Sequence, residues 1–158
     1  MIRAAVAADA AAIVAIWNKI IRDTAFTFTT VEKTEGGVRR DMAAAGQVFL
    51  VAEQAGAVLG FATYGAFRAG PGYAQTMEHS VILAPEARGR GIGAALMKVL
   101  EVQARAAGVH CLIAAVSGEN AGAVAFHRRI GFVEVGRLPE VGRKFDRWMD
   151  LIVLQKLL

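Results

Sequence analysis

Arg88-Gly89-Arg90-Gly91-Ile92-Gly93-Ala94 stands between two segments of opposite periodicity. Before it, Ser80-Val81-Ile82-Leu83-Ala84 is an apolar, strand-like run closed by Pro85. After it, Ile92, Ala95, Leu96, Val99 and Leu100 recur on one face of a helix. A glycine-rich turn between strand and helix exposes several backbone N–H groups at the helix N-terminus, where the helix dipole also favours a phosphate. Glycine lets a ligand approach the backbone closely, and Arg88 and Arg90 add positive charge. The bland alternative is a tight loop with two solvated arginines.

Three phosphate-binding patterns can be set against these residues. A P-loop ends in Gly-Lys-Ser/Thr, and Gly93-Ala94-Ala95 has neither the lysine nor the hydroxyl. Gly89-x-Gly91-x-x-Ala94 satisfies the dinucleotide fingerprint by letter. That fold also wants an acidic residue about twenty positions on for the ribose hydroxyls, and Leu112-Ile113-Ala114-Ala115-Val116 carries none. Arg88-x-x-Gly91-x-Gly93 matches the acyl-CoA pyrophosphate signature, Gln/Arg-x-x-Gly-x-Gly/Ala, of the GNAT superfamily of N-acetyltransferases. Thr76-Met77-Glu78-His79-Ser80-Val81, Asn120, the stretch from His127 to Phe132 and Val141-Gly142-Arg143-Lys144-Phe145-Asp146-Arg147-Trp148 resemble one branch of it. That branch holds the phosphinothricin and methionine sulfoximine/sulfone N-acetyltransferases. The resemblance runs in register from Ile2 to the C-terminus.

A chain of 158 residues is expected to form one domain, residues 1–158, with a single substantial core. The hydrophobic fraction is 55% and the mean hydropathy +0.41, with alanine supplying much of both. No run approaches the roughly 18 consecutive apolar residues of a membrane span. Asp9 interrupts the first apolar stretch, which does not read as a signal peptide. A soluble cytoplasmic protein with no membrane partner is expected. Cys111 is the only cysteine, so an intrachain disulfide is excluded, and its apolar setting points to a small buried filler. The net charge of +4 and pI near 9.6 invite a nucleic-acid reading. The cations are dispersed as Arg39-Arg40, Arg88/Arg90, Arg128-Arg129 and Arg143-Lys144, with no basic run and no interleaved aromatics. No nucleic-acid partner is expected; a modest positive field suits an anionic cofactor.

Asp9 is a plausible N-cap for a helix carrying Ile13, Ile16, Trp17, Ile20 and Ile21. A weaker helix is expected over Val31 to Ala45, with Gly36-Gly37 counting against its middle. Residues 47–53 and 58–64 read as a hairpin, Phe67 to Ala74 as a loop, and Thr76 to Ala84 as the next strand. The helix after the glycine turn stops at Gly108. A strand from His110 to Val116, a turn, a short helix to Gly131, and strands over Phe132–Leu138 and Trp148–Leu157 complete the order. The fold class is mixed α/β (α+β). The resemblance implies a GNAT-like, mostly antiparallel central sheet flanked by helices, with central strands splayed to admit pantetheine.

Acetyl transfer to an amine has three needs. The ammonium must lose a proton, charge on the thioester oxygen must be stabilised, and the leaving thiolate can take a proton. Glu78, on the strand entering the turn, is the candidate base. A carboxylate near pKa ~4 is a poor base for an ammonium near ~10 without partial burial or a relaying water. In the resembled branch the matching glutamate is assigned this role; a solvated glutamate or a structural ion pair is the alternative. Superfamily members carry a bulge on this strand that frees N–H groups toward the cofactor. That implies Val81, Ile82 and Leu83 as main-chain contacts, although the branch has an aromatic where this chain has Ile82. With Arg88, Gly89, Arg90, Gly91, Ile92, Gly93, Ala94 and Asn120 they make up the expected acetyl-CoA site. Asn120 also reads as a helix N-cap, a compatible role. His127 falls where many members place a tyrosine that protonates the thiolate; a structural or cofactor-lining histidine is the alternative. No metal is expected.

His79 points to the strand face opposite Glu78 and is expected, with Ser80, to orient the site or the substrate. Arg68 matches an arginine that grips the acceptor's carboxylate, a task suited to the paired donors of a guanidinium. Phe26, Phe28 and Tyr73 are candidates to wall the acceptor pocket, or equally to fill core. The chain departs from the sulfoximine enzymes at Gly70, Ala74 and Phe26-Thr27-Phe28, where those carry an aromatic, an arginine and a tryptophan. The implied activity is acetylation of the amino group of a small amino-acid-like molecule by a homodimer. Alternatives are another small amine, a protein N-terminus, or an acyl-CoA-binding domain without catalysis.

Overall fold

A computed structural model describes residues 1–158. Seven strands form one sheet in the order β1-β2-β3-β4-β5-β7-β6. They are β1 (Ile2–Ala4), β2 (Val48–Gln54), β3 (Ala57–Ala66), β4 (Thr76–Leu83), β5 (Cys111–Ser117), β6 (Val133–Lys144) and β7 (Arg147–Leu157). Every pairing is antiparallel except β4 with β5. The helices are α1 (Ala10–Asp23), α2 (Glu35–Ala43), α3 (Ile92–Ala106) and α4 (Ala121–Arg129). This is the mixed α/β class that the order of periodicities implies, with the mostly antiparallel sheet that the resemblance implies.

Alternation along the strands builds a core on each face. One core joins Leu50, Ala62 and Leu112 of the sheet to Leu96, Met97 and Leu100 of α3. The other joins Phe49, Val51 and Phe61 to Ile13 of α1 and Val38 of α2. Burying a side chain of this size contributes about 1.5–3 kcal/mol, so α1 and α3 are held chiefly by their apolar stripes.

Three elements differ from the sequence expectation. β1 is an additional short strand, pairing Ile2–Ala4 with Ala52–Leu50. Arg3 fastens it, donating to Glu53 at 2.8 Å and to both carboxylate oxygens of Asp9 at 2.7 and 2.9 Å. α2 begins at Glu35 rather than Val31, so Gly36-Gly37 falls in its first turn, where the Thr34 hydroxyl accepts from the Gly37 N–H. Residues before it are held extended because the Asn18 amide brackets the Lys33 backbone at 2.7 and 3.0 Å. β6 runs six residues beyond Leu138, to Lys144, and turns tightly into β7 through Phe145 and Asp146, both at positive φ.

The sheet parts between its central strands. β4 and β5 pair only at Thr76↔Cys111, Met77↔Leu112 and Glu78↔Ile113. Beyond Glu78, β4 stays with β3 as far as Leu83, while β5 stays with β7 to Ser117. The bulge expected near Ser80 is absent: β3 and β4 keep an unbroken register from Ala66↔Met77 to Gly60↔Leu83. Backbone groups along this edge are freed by the departure of β5, not by an inserted residue.

Candidate active site

The gap between the parted strands is a cleft of about 770 Å³. Ser80, Val81, Ile82 and Leu83 form one wall, and Ala114, Ala115 and Val116 the other. It passes through the sheet, reaching Ile20 and Phe26 on the α1 side and Phe126 and His127 of α4 on the other. At its far end lie Arg88, Gly89 and Gly93 of the glycine turn.

The local chemistry of that turn accounts for its form. A single turn over Pro85–Ala87 ends β4. Gly89 and Gly91 then take φ of +72° and +76°, a region that costs other residues about 1–2 kcal/mol. Gly91 immediately precedes α3, and no side chain caps that helix, so its first-turn N–H groups remain available to an anion. The two arginines separate: Arg88 lines the cleft, whereas Arg90 turns back to Gln54, donating to its Oε1 at 2.5 Å. Ile92 packs into the α3 core, and Ala94 is exposed outside the cleft.

Asn120 lines the cleft and also caps α4, its Oδ1 accepting from the Ala123 N–H at 3.1 Å. The preceding loop is pinned by Arg147, which donates to both oxygens of Glu119 at 2.7 and 3.0 Å and holds that carboxyl below its usual range.

Glu78 occupies the last residue pair before the strands part. Its carboxyl faces a second cavity, of about 220 Å³, shared with Trp17, Asp41, Gln47 and Thr63. Ser80 lines both cavities, which therefore adjoin at this residue, two positions from Glu78. Desolvation pushes the Glu78 carboxyl above the ordinary carboxylate value, which makes it a stronger base once ionised. The Thr63 hydroxyl, buried on the same cavity, has no hydrogen-bond partner within the protein.

On the opposite face the next residue, His79, meets His127 with their Nε2 atoms 2.9 Å apart. His127 Nδ1 lies 2.8 Å from the Ala123 carbonyl oxygen. Both rings are buried against Phe132, and burial lowers both pKa values, His79 to about 3. Both line the cleft.

The remaining candidates fall in different places. Phe26 lines the cleft, whereas Phe28 packs over Gly142 of β6, where a Cβ would come within 2.2 Å of its ring. Arg68 lies on the exposed β3–β4 loop, its guanidinium 5.5 Å from the centre of the Tyr73 ring, and neither residue lines either cavity. Sequence reasoning did not reach Asp41, Gln47 and Thr63, which carry no motif, nor Lys144. The Lys144 ammonium is buried, donating to the carbonyls of Ile21, Thr24 and Thr27 at 2.5, 2.8 and 3.0 Å. It therefore fastens the segment bearing Phe26 and Phe28 to the β6–β7 hairpin. Lysine next to Arg143 in a polar stretch gives no local sign of such burial.

A sheet parted around a cleft, an uncapped helix N-terminus at one end and a carboxylate of raised pKa at the vertex define a class. Such a site can hold a long, phosphate-bearing ligand through the sheet and bring its inner end beside a base. The family model for the acetyltransferase (GNAT) family matches residues 14–132. The L-methionine sulfoximine/L-methionine sulfone acetyltransferase of Pseudomonas aeruginosa is 40% identical over 158 residues, spanning 98% of this chain and 92% of that protein. Among solved structures, the ribosomal-protein-alanine N-acetyltransferase of Brucella melitensis is 40% identical with a TM-score of 0.96, over 100% of this chain and 99% of that one. The phosphinothricin acetyltransferase of Sinorhizobium meliloti, solved with acetyl-CoA, is 34% identical with a TM-score of 0.93, over 100% and 88%. The chain belongs to the acetyltransferase (GNAT) family, which makes it an acetyl-CoA-dependent acyltransferase.

Proposed function

We propose that this chain is one N-acetyltransferase domain that acetylates the amino group of a small amino-acid-like molecule of the methionine sulfoximine, methionine sulfone or phosphinothricin type. The observation that carries the reading is the position of Glu78 at the vertex of the parted strands, between a cofactor-sized cleft and a cavity of about 220 Å³ suited to a small acceptor.

Acetyl-CoA, as co-substrate, supplies the activated acetyl thioester. The first-turn N–H groups of α3, the glycine turn and Arg88 would hold its pyrophosphate. The β4 edge beyond Ser80, with Val81, Ile82 and Leu83, would bond its pantetheine and polarise the thioester carbonyl. Glu78 takes a proton from the acceptor's ammonium, directly or through one water, and the freed nitrogen attacks the carbonyl carbon. The C–N bond forms, the nitrogen gives up its second proton to solvent, the C–S bond breaks, and the thiolate leaves on the side of the sheet that holds His127.

Arg68 is assigned to the acceptor's carboxylate. It stands just beyond the β3–β4 ladder, whose register pairs Gly65 with Glu78 and whose Phe67 N–H bonds the Thr76 carbonyl at 3.2 Å. The working protein is a homodimer joined through β6. That strand is an edge of the sheet, and Val133, Val135, Leu138 and Val141 on it are exposed, as is Trp148 beside it. A cytoplasmic location fits a reaction that consumes acetyl-CoA.

Thiol release from acetyl-CoA, measured over a panel of acceptors, tests the proposal. The panel holds methionine sulfoximine, methionine sulfone, phosphinothricin, common amino acids, amines without a carboxylate, and a peptide with a free N-terminus. Turnover confined to small carboxylate-bearing amines is expected. Turnover of the peptide alone would move the acceptor to a protein N-terminus. Acetyl-CoA binding without turnover of any amine would make the chain a binding domain.

A further inference from the structure

The His79–His127 contact allows few proton arrangements, and they can be told apart by elimination. The Ala123 carbonyl oxygen, 2.8 Å from His127 Nδ1, can only accept, so that nitrogen carries the proton. In a neutral ring His127 Nε2 is then a lone pair. It faces His79 Nε2 at 2.9 Å, so His79 must be protonated there and donate. Placing the His79 proton on Nδ1 instead would set two lone pairs against each other at that distance. The elimination leaves His79 Nδ1 unprotonated and, within the protein, without a hydrogen-bond partner.

We propose that His79 is a positioning residue acting through His127. Its Nε2–H holds His127 in the Nδ1-protonated tautomer and ties α4 to β4 at the wall of the cleft. Every N–H of the pair is thereby committed inside the protein, one to Ala123 and one between the rings. Resting His127 then has no proton to offer the departing thiolate, which leaves as the anion and is protonated from water. The role of the pair is to hold one helix, with Asn120 as its N-cap, at a set distance from the strand that carries Glu78. Phe126 and Phe132 pack around the rings and exclude solvent that would compete for these bonds.

The kinetic consequences rest on the acetyl-transfer reading, whereas the tautomers do not. Long-range nitrogen–proton NMR of the imidazoles in the unliganded protein at pH 7 is expected to show His127 protonated on Nδ1 and His79 on Nε2. An Nε2-protonated His127, or a pair that titrates between pH 6 and 7, would overturn the proposal even in an active enzyme. Absence of turnover with every amine would instead count against the acetyl-transfer reading and leave the tautomer result standing.

Substitution supplies the second arm. His79→Phe removes the donor, so kcat/KM should fall by about tenfold, the worth of one buried hydrogen bond. His127 Nε2 then faces an apolar ring, and its nitrogen NMR shift should lose the signature of an accepted hydrogen bond while Nδ1 stays protonated toward Ala123. His79→Gln, whose amide N–H reaches the same place, should recover part of the loss and restore that signature. A parent enzyme with an imidazole limb in its pH–rate profile, or a Gln variant no better than Phe, would refute the positioning role. Should the Phe variant fail to fold, the Gln variant and the parent's NMR decide the matter.

Discussion

Replacing Glu78 with glutamine separates catalysis from stability, because the two effects have opposite signs. Glutamine keeps the volume and loses the charge. An acceptor ammonium of pKa near 10 is neutral in about one molecule in 10³ at pH 7, so removing the base should lower turnover by on the order of 10²–10⁴. That is a barrier increase of about 2.7–5.5 kcal/mol. Acetyl-CoA affinity should stay nearly constant, since Glu78 lines the acceptor cavity and not the cofactor cleft. Desolvation raises the folded-state pKa of this carboxyl above its unfolded value. Between the two values the native state holds more protons than the unfolded state, so the ionised carboxylate costs stability above the folded pKa. The Gln variant should therefore melt at the same temperature as the parent, or higher, at pH 7. The gap should close as pH falls from the folded-state pKa to the unfolded one. Thiol-release kinetics, calorimetry with acetyl-CoA and thermal melts at several pH values provide the measurements. The turnover deficit should narrow at high pH as the acceptor deprotonates unaided. A pH 7 rate within twofold of the parent's, or a rate loss matched by a fall in melting temperature, would refute the assignment of Glu78 as base.

Gly93→Ala adds a Cβ that meets Phe126 at 3.4 Å and Leu83 at 3.6 Å, ordinary contact, so the fold should tolerate it. Any loss of acetyl-CoA affinity in that variant then reports the cleft itself. Gly91→Val also forces a β-branched residue to a φ of +76° and should weaken acetyl-CoA binding by more than tenfold, about 1.4 kcal/mol; unchanged affinity in the folded variant would dismiss the glycine turn as the phosphate site. Arg68→Ala should raise KM for a carboxylate-bearing acceptor by about 10- to 150-fold while leaving an amine without one nearly indifferent. Equal effects on both amines would remove the carboxylate clamp. Lys144→Met leaves three carbonyls without their donor and should cost about 2–5 kcal/mol in denaturant unfolding. It should also raise acceptor KM by loosening the segment around Phe26, and an unaltered unfolding midpoint would show that these bonds contribute nothing.

What the chain declares in its own order is what neighbouring residues decide together. Strand, turn and helix around Gly89–Gly93, the β2–β3 hairpin and the Asn120 cap are local events, governed by periodicity, positive φ and side chains that reach only a few residues. The acyl-CoA signature is legible for the same reason, since an anion site at a helix N-terminus is built from consecutive N–H groups. Distance along the chain hides the rest. β1 exists only because β2 offers a free edge much later in the chain, pairing Ile2 with Ala52 and Ala4 with Leu50. The parting of β4 from β5 after Glu78↔Ile113, with β4 kept on β3 without a bulge and β5 kept on β7, is set by the outer pairs of the sheet and by no residue near the gap in sequence. Arg90 is drawn to Gln54, Lys144 to three carbonyls in another element, and His79 to His127 forty-eight positions on. In each case the fold alone determines which group is near enough to pair, and for the buried Lys144 and His79 an unpaired polar group would be too costly to leave.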